Sequence, residues 1–127
     1  MVQVLLIFVG GGLGAVARYG LTLAAARAFG LQFPWGTLGV NITGSLAMGL
    51  VAGYFIARGA PAEWDNARLF LTTGILGGYT TFSAFSLDTI MLWENGRLAL
   101  LAFYVFGSVA FSIAALFIGY ALAKGMA

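Results

Sequence analysis

The sequence predicts an all-α integral membrane protein with four transmembrane helices per subunit, and three observations predict it. Hydrophobic residues make up 61% of the 127 and charged residues 8%, with a mean hydropathy of +0.99. Soluble domains carry about 25% charged residues, so this chain cannot cover a water-facing surface, which excludes a soluble globular enzyme. So much apolar surface equally excludes a disordered chain. The charges also cluster, cutting the chain into four apolar stretches. Finally, both prolines, Pro34 and Pro61, fall between stretches, so none is interrupted.

The first stretch, about 2–26, has Arg18 as its only charge. It lacks the basic start and Ala-x-Ala cleavage site of a signal peptide and is too long for one, so it reads as a retained helix. The connection that follows ends in Pro34-Trp35-Gly36, an interfacial turn signal. The second stretch, 37–57, runs 21 residues without a charge. At about 1.5 Å rise per residue it covers roughly 30 Å, one hydrocarbon thickness. Arg58 to Arg68 holds four of the ten charges and reads as a loop. The third stretch, 69–93, carries Asp88; a Glu94-Asn95-Gly96-Arg97 turn leads to the fourth, 98–123, closed by Lys124. Residues 1–127 thus read as a single four-helix transmembrane domain.

With no Cys and no His, disulfides, thiol nucleophiles, histidine bases and the usual zinc sites are all excluded. Six basic and four acidic side chains are too few for a nucleic-acid surface. If the helices alternate, Arg58, Arg68 and Lys124 share the side of the termini. Arg27 and Arg97 lie opposite, with Arg18 toward that end of the first helix. Three against three gives no preferred orientation. A chain without bias inserts both ways up, and two opposed copies can pair as an antiparallel dimer with closed symmetry. The alternative is a bias hidden in a few residues assigned to the wrong side.

Nineteen glycines are spaced rather than scattered: Gly10-xxx-Gly14, Ser45-xxx-Gly49-xxx-Gly53 and Gly74-xxx-Gly78 each mark one helix face. Such faces let backbones approach closely in lipid. Four short helices leave little interior for a cavity, so a functional site is expected between subunits. Near the middle of the third stretch, Gly77-Gly78-Tyr79-Thr80-Thr81 is a weak place for a helix. Two readings stay open there. A break would free carbonyls that need partners inside protein and that can form a cation site. A continuous helix would use the glycines for packing alone.

Polar side chains form stripes. Thr37, Asn41 and Ser45 recur every four residues on helix two, and Tyr104, Ser108 and Ser112 on helix four, so each set shares a face. On helix three, Thr80 to Ser86 interleaves hydroxyls, Ser83 among them, with Phe82 and Phe85. Asp88 is the one carboxylate inside a span, so neither an acid–base pair nor a metal cluster can be assembled, and no enzyme is expected. Hydroxyls and an amide can replace part of an ion's hydration shell, Arg18 favours an anion, and phenyl edges carry partial positive charge. A track lined this way suggests a small-anion path. Each residue also has a plainer reading. Hydroxyls bond back to their own helix, Asn41 can glue helices, and Arg18 can snorkel. Asp88 can cap a polar cluster or act as an intramembrane functional group. Only the convergence of the stripes with the phenylalanine pair favours the path.

Three segments carry a family resemblance: Gly11-Gly12-Leu13-Gly14-Ala15-Val16-Ala17-Arg18-Tyr19, Gly36-Thr37-Leu38-Gly39-Val40-Asn41-Ile42-Thr43-Gly44, and Gly74 through Ser86. In order and spacing they resemble the Fluc-type fluoride channels, also called the CrcB family, and the resemblance covers the whole chain. It implies an antiparallel dual-topology homodimer with two fluoride pores in a prokaryotic plasma or inner membrane, exporting fluoride passively and relieving its toxicity. It also implies a structural Na⁺ at the dimer interface, held by the backbone carbonyls of Gly77 and Thr80 beside a broken third helix. The pore phenylalanines correspond to Phe82 and Phe85, the pore asparagine to Asn41, and the polar track to Tyr104, Ser108 and Ser112. Thr37 lies in the Gly-Thr start of helix two, and Arg18 matches the family's helix-one arginine. Two departures stand out: Ala84 replaces a threonine of the usual Thr-Thr-Phe-Ser-Thr-Phe, and Asp88 stands where glutamate is common.

A small dual-topology multidrug transporter would share the size and weak charge bias. Proton-coupled transporters of that kind need a central carboxylate, typically in helix one, where this chain has only Arg18. A non-conducting assembly protein would leave the hydroxyl stripes and the phenylalanine pair without a purpose.

Overall fold

Three long helices and one broken one occupy the four apolar stretches. In chain order the elements are α1 (Val2–Phe29), α2 (Trp35–Ala57), α3 (Asp65–Leu69), α4 (Gly77–Tyr79), α5 (Phe82–Glu94) and α6 (Leu98–Met126). A 3₁₀ turn, Ala62–Trp64, precedes α3, and a π-helical turn, Phe70–Leu76, joins α3 to α4. The computed structural model describes residues 1–126, so Ala127, the last residue of the expected domain, lies outside the described residues. α1, α2 and α6 are each long and apolar enough to cross a membrane.

The long helices overrun the apolar stretches by a few residues: α1 takes in Arg27-Ala28-Phe29, α2 starts at Trp35, and α6 runs on to Met126. α1 stops only at Gly30, whose φ of 86° leaves the helical region while its amide still reaches the Ala26 carbonyl.

Close packing follows the small residues. α2 and α6 form the most extensive helix pair. There a methyl at Gly49 would run into the Leu116 carbonyl, and one at Gly119 into that of Leu46. α1 packs on the π turn and α4 with backbone against backbone: Gly14 faces the Ile75 carbonyl and Gly78 that of Gly11. α5 is different. It has little packing within the chain, mostly against α6, and it is anchored by Phe85 and Leu92 in a buried cluster with Phe33, Leu38 and Tyr104.

The two ends of the bundle confirm that the helices alternate. At one end, Arg97 Nη1 donates to the Gln32 carbonyl (3.1 Å), and Phe33 meets Tyr104 edge-on at 5.5 Å. At the other, Trp64 stacks on Tyr54 at 6.2 Å, and the Arg58 guanidinium lies 5.4 Å from the same tyrosine ring. Such cation and aromatic groups suit a membrane–water boundary.

Candidate functional site

The helix break decides the site. Thr80 (φ −79°, ψ 156°) and Thr81 (φ −152°, ψ 125°) are extended, so the third span is broken midway between Asp65 and Glu94. The first half ends where Thr80 donates both its amide (3.0 Å) and its hydroxyl (2.9 Å) to the Leu76 carbonyl.

An uninterrupted helix would send the Thr81 amide to Gly77, the Phe82 amide to Gly78 and the Ala84 amide to Thr80. None of the three bonds forms. The Thr81 amide donates instead to Asn41 Oδ1 (2.9 Å), and Asn41 Nδ2 donates back to the Thr81 carbonyl (3.0 Å). Arg18 Nε donates to the Gly78 carbonyl (3.2 Å). The Ala84 amide turns to Thr81 Oγ1 (3.1 Å), an N-cap for α5. Among the described residues no donor reaches the carbonyls of Gly77 and Thr80. Two backbone oxygens near the middle of a span are a donor set suited to a hard cation.

Beside the break runs a groove of about 510 Å³, lined by Asn41 and Ser45 of α2, Phe82 and Phe85 of α5, and Ser108 and Ser112 of α6. The hydroxyls of Ser108 and Ser112 are buried and meet no partner among the described residues. Buried polar groups normally have one, so these two are available to something inside the groove. The Phe82 ring, 77% exposed, lies 5.4 Å from that of Phe85 at a 53° tilt, and Phe85, 7% exposed, rests 5.1 Å from Tyr104.

Of the expected path residues, the groove therefore unites Asn41, Phe82, Phe85, Ser108 and Ser112. The other four lie outside its wall. Tyr104 is fully buried one turn beyond Ser108, and its hydroxyl donates to Asp88 Oδ2 at 2.8 Å. Thr37 is buried in α2. Ser83 is exposed, with its hydroxyl 3.3 Å from that of Thr81. Arg18 does not snorkel: its guanidinium is held at the break.

Residues 5–120 match the family described as CrcB-like protein, Camphor Resistance (CrcB). The chain belongs to the CrcB family. Its relatives include the fluoride-specific ion channel FluC 2 of Nitrobacter hamburgensis, 54% identical over 121 residues, 94% of this chain and 95% of the relative. The fluoride-specific ion channel FluC of Rhodopseudomonas palustris is 53% identical over 122 residues, covering 96% and 97%. That of Agrobacterium fabrum is 48% identical over 126, covering 99% of each. With its apolar helices, this CrcB chain is a multi-pass membrane protein.

Two features of the CrcB chain's site escaped sequence reasoning. Thr81 had a readable signal, since a threonine ahead of a helical run is a favoured N-cap. The pairing of Asn41 with the Thr81 peptide had none, because nothing local links residues 40 apart.

Proposed function

We propose that this CrcB chain is the subunit of a fluoride-selective channel that passes fluoride down its gradient as an antiparallel dual-topology homodimer. The single observation that carries the reading is the pair of buried, partnerless hydroxyls, Ser108 and Ser112, facing a groove shared with Asn41 and two phenyl rings. Fluoride is a small, strong hydrogen-bond acceptor, and it can enter apolar surroundings only if donors replace its hydration shell. The serine hydroxyls and the free Nδ2 proton of Asn41 supply those donors, and the ring edges of Phe82 and Phe85 add positive quadrupole charge. The N-terminal end of α5 contributes the positive end of a helix dipole. Arg18 places a fixed positive charge beside the break. Tyr104, Thr37 and Ser83 continue polar contact beyond the groove. The names borne by its relatives agree with this chemistry.

A second copy is the natural cover for surfaces that lipid cannot satisfy. Gly77 lies at the surface of the single chain with its carbonyl unpaired among the described residues, next to the sparsely packed α5. An unsatisfied carbonyl in hydrocarbon costs several kcal/mol. Two opposed copies would bring these carbonyls together, and Na⁺ between them would be held by Gly77 and Thr80. Its contribution is structural charge that ties the two copies together. The setting is a prokaryotic plasma or inner membrane, where passive export relieves fluoride toxicity.

The test is efflux from liposomes loaded with fluoride and read by a fluoride electrode. Purified protein should release fluoride far faster than empty vesicles while retaining chloride. Release no faster than from empty vesicles would sink the channel reading.

A further inference from the structure

We propose that Asn41 is the positioning residue of the cation site at the helix break, so that one side-chain amide links that site to the anion groove. The inference rests on the sodium reading above. The helical partner of the Thr81 amide is the Gly77 carbonyl, and Asn41 Oδ1 takes that donor away at 2.9 Å. The Gly77 oxygen is free because Asn41 stands in for it.

The return bond from Nδ2 to the Thr81 carbonyl at 3.0 Å fixes the orientation of the peptide that follows Thr80. The side chain thus behaves as an inserted peptide group, making one donor and one acceptor contact with the same residue. Arg18 and the Thr81 hydroxyl act on either side. Arg18 occupies the Gly78 carbonyl, and the Thr81 hydroxyl accepts the Ala84 amide that would otherwise reach the Thr80 carbonyl. The pattern of free and occupied oxygens therefore comes from three side chains, of which Asn41 and Thr81 also line the groove, and Asn41 is the one with a donor left to face it.

An amide has two donors and two acceptor positions. One of each is committed to Thr81, which leaves one Nδ2 proton for an anion in the groove. An anion pulling on that proton and a cation drawing on the Gly77 carbonyl act through the same amide. Sodium binding and fluoride passage are coupled at Asn41.

The experiment follows the melting of the full-length protein in lipid nanodiscs by tryptophan fluorescence. Na⁺ is titrated against N-methylglucamine at constant ionic strength, with liposome efflux measured in parallel. Wild type should gain stability saturably with Na⁺, as any ligand of the folded state produces. Asn41→Leu should need at least about ten-fold more Na⁺ for half-saturation, because the Thr81 amide returns to Gly77. Asn41→Asp keeps an oxygen for the Thr81 amide and should titrate within about two-fold of wild type while its negative charge abolishes efflux. Phe82→Ile should likewise lose efflux and keep the wild-type Na⁺ response.

An Asn41→Leu dimer that titrates like wild type overturns the proposal. Should that variant fail to fold, Asn41→Ser, too short to reach the Thr81 amide, is judged by the same criterion. A wild-type melting temperature indifferent to Na⁺ overturns the sodium reading and this proposal with it. A Na⁺ response without fluoride efflux overturns the channel reading alone.

Discussion

Ser108 separates a structural role from a functional one at the scale of a single residue. The residue is 5% exposed and its buried hydroxyl meets no partner among the described residues, so its burial destabilises the chain unless a partner enters the groove. Removing an unsatisfied buried polar atom is neutral or stabilising. Ser108→Ala is therefore expected to melt at or above the wild-type temperature. A fluoride path that loses one hydrogen bond of about 1.4 kcal/mol should slow roughly ten-fold. Efflux and thermal melting of the same preparation check both halves, and undiminished efflux would remove Ser108 from the path. Tyr104 has the opposite character. It shares the α6 stripe, yet its hydroxyl is committed to Asp88, so the shorter carboxylate still finds a partner one turn beyond the groove.

At the scale of the element, the broken span depends on α1. Backbone lies directly on backbone where Gly78 faces Gly11 and where Gly14 faces Ile75, and no flexible side chain is present to give way. Overpacking such a contact costs about 1–3 kcal/mol. Gly78→Ala should consequently lower the melting temperature. Gly107→Ala should leave it unchanged, since a methyl there meets the Phe111 ring at an ordinary 3.5 Å. Equal melting of the two variants would show that α1 does not brace the break. The glycine stripes were legible as stripes because four-residue spacing is a local property of a helix. That Gly10 and Gly14 serve α4 and the π turn, while Gly49 and Gly53 serve α6, depends on how the helices meet.

The whole molecule raises the question of orientation. Arg18 is held at mid-span by Gly78, so it leaves the tally of flanking cations. Arg58, Arg68 and Lys124 now stand against Arg27 and Arg97. A difference of one cation is a weak orienting signal, and Arg68 is also paired with Asp65 at 3.0 Å. Dual insertion follows as an expectation. The chain has no cysteine, so a single Ala62→Cys between α2 and α3 gives an unambiguous reporter. An impermeant maleimide should label about half of it on intact cells and the remainder after permeabilisation, as an unbiased topology requires. Labelling confined to one side would defeat the antiparallel arrangement.

Composition and spacing alone establish that the solvent is lipid, which helix faces are small or polar, and where a helix would be weakest. Each of these is a matter of composition or of spacing within one turn or two. Residue spacing left the third span open to either reading, the family resemblance implied a break, and the structure contains it at Thr80 and Thr81; which members of the polar stripes share a groove came from the packing of the helices. The bonds involved reach far along the chain. The break is held by Asn41 and Arg18 from 40 and 60 residues away. No periodicity connects such positions, so the Gly77 and Thr80 carbonyls were pointed to by the family resemblance alone, and the side chains that free them became visible only once α1 and α2 were laid against the third span.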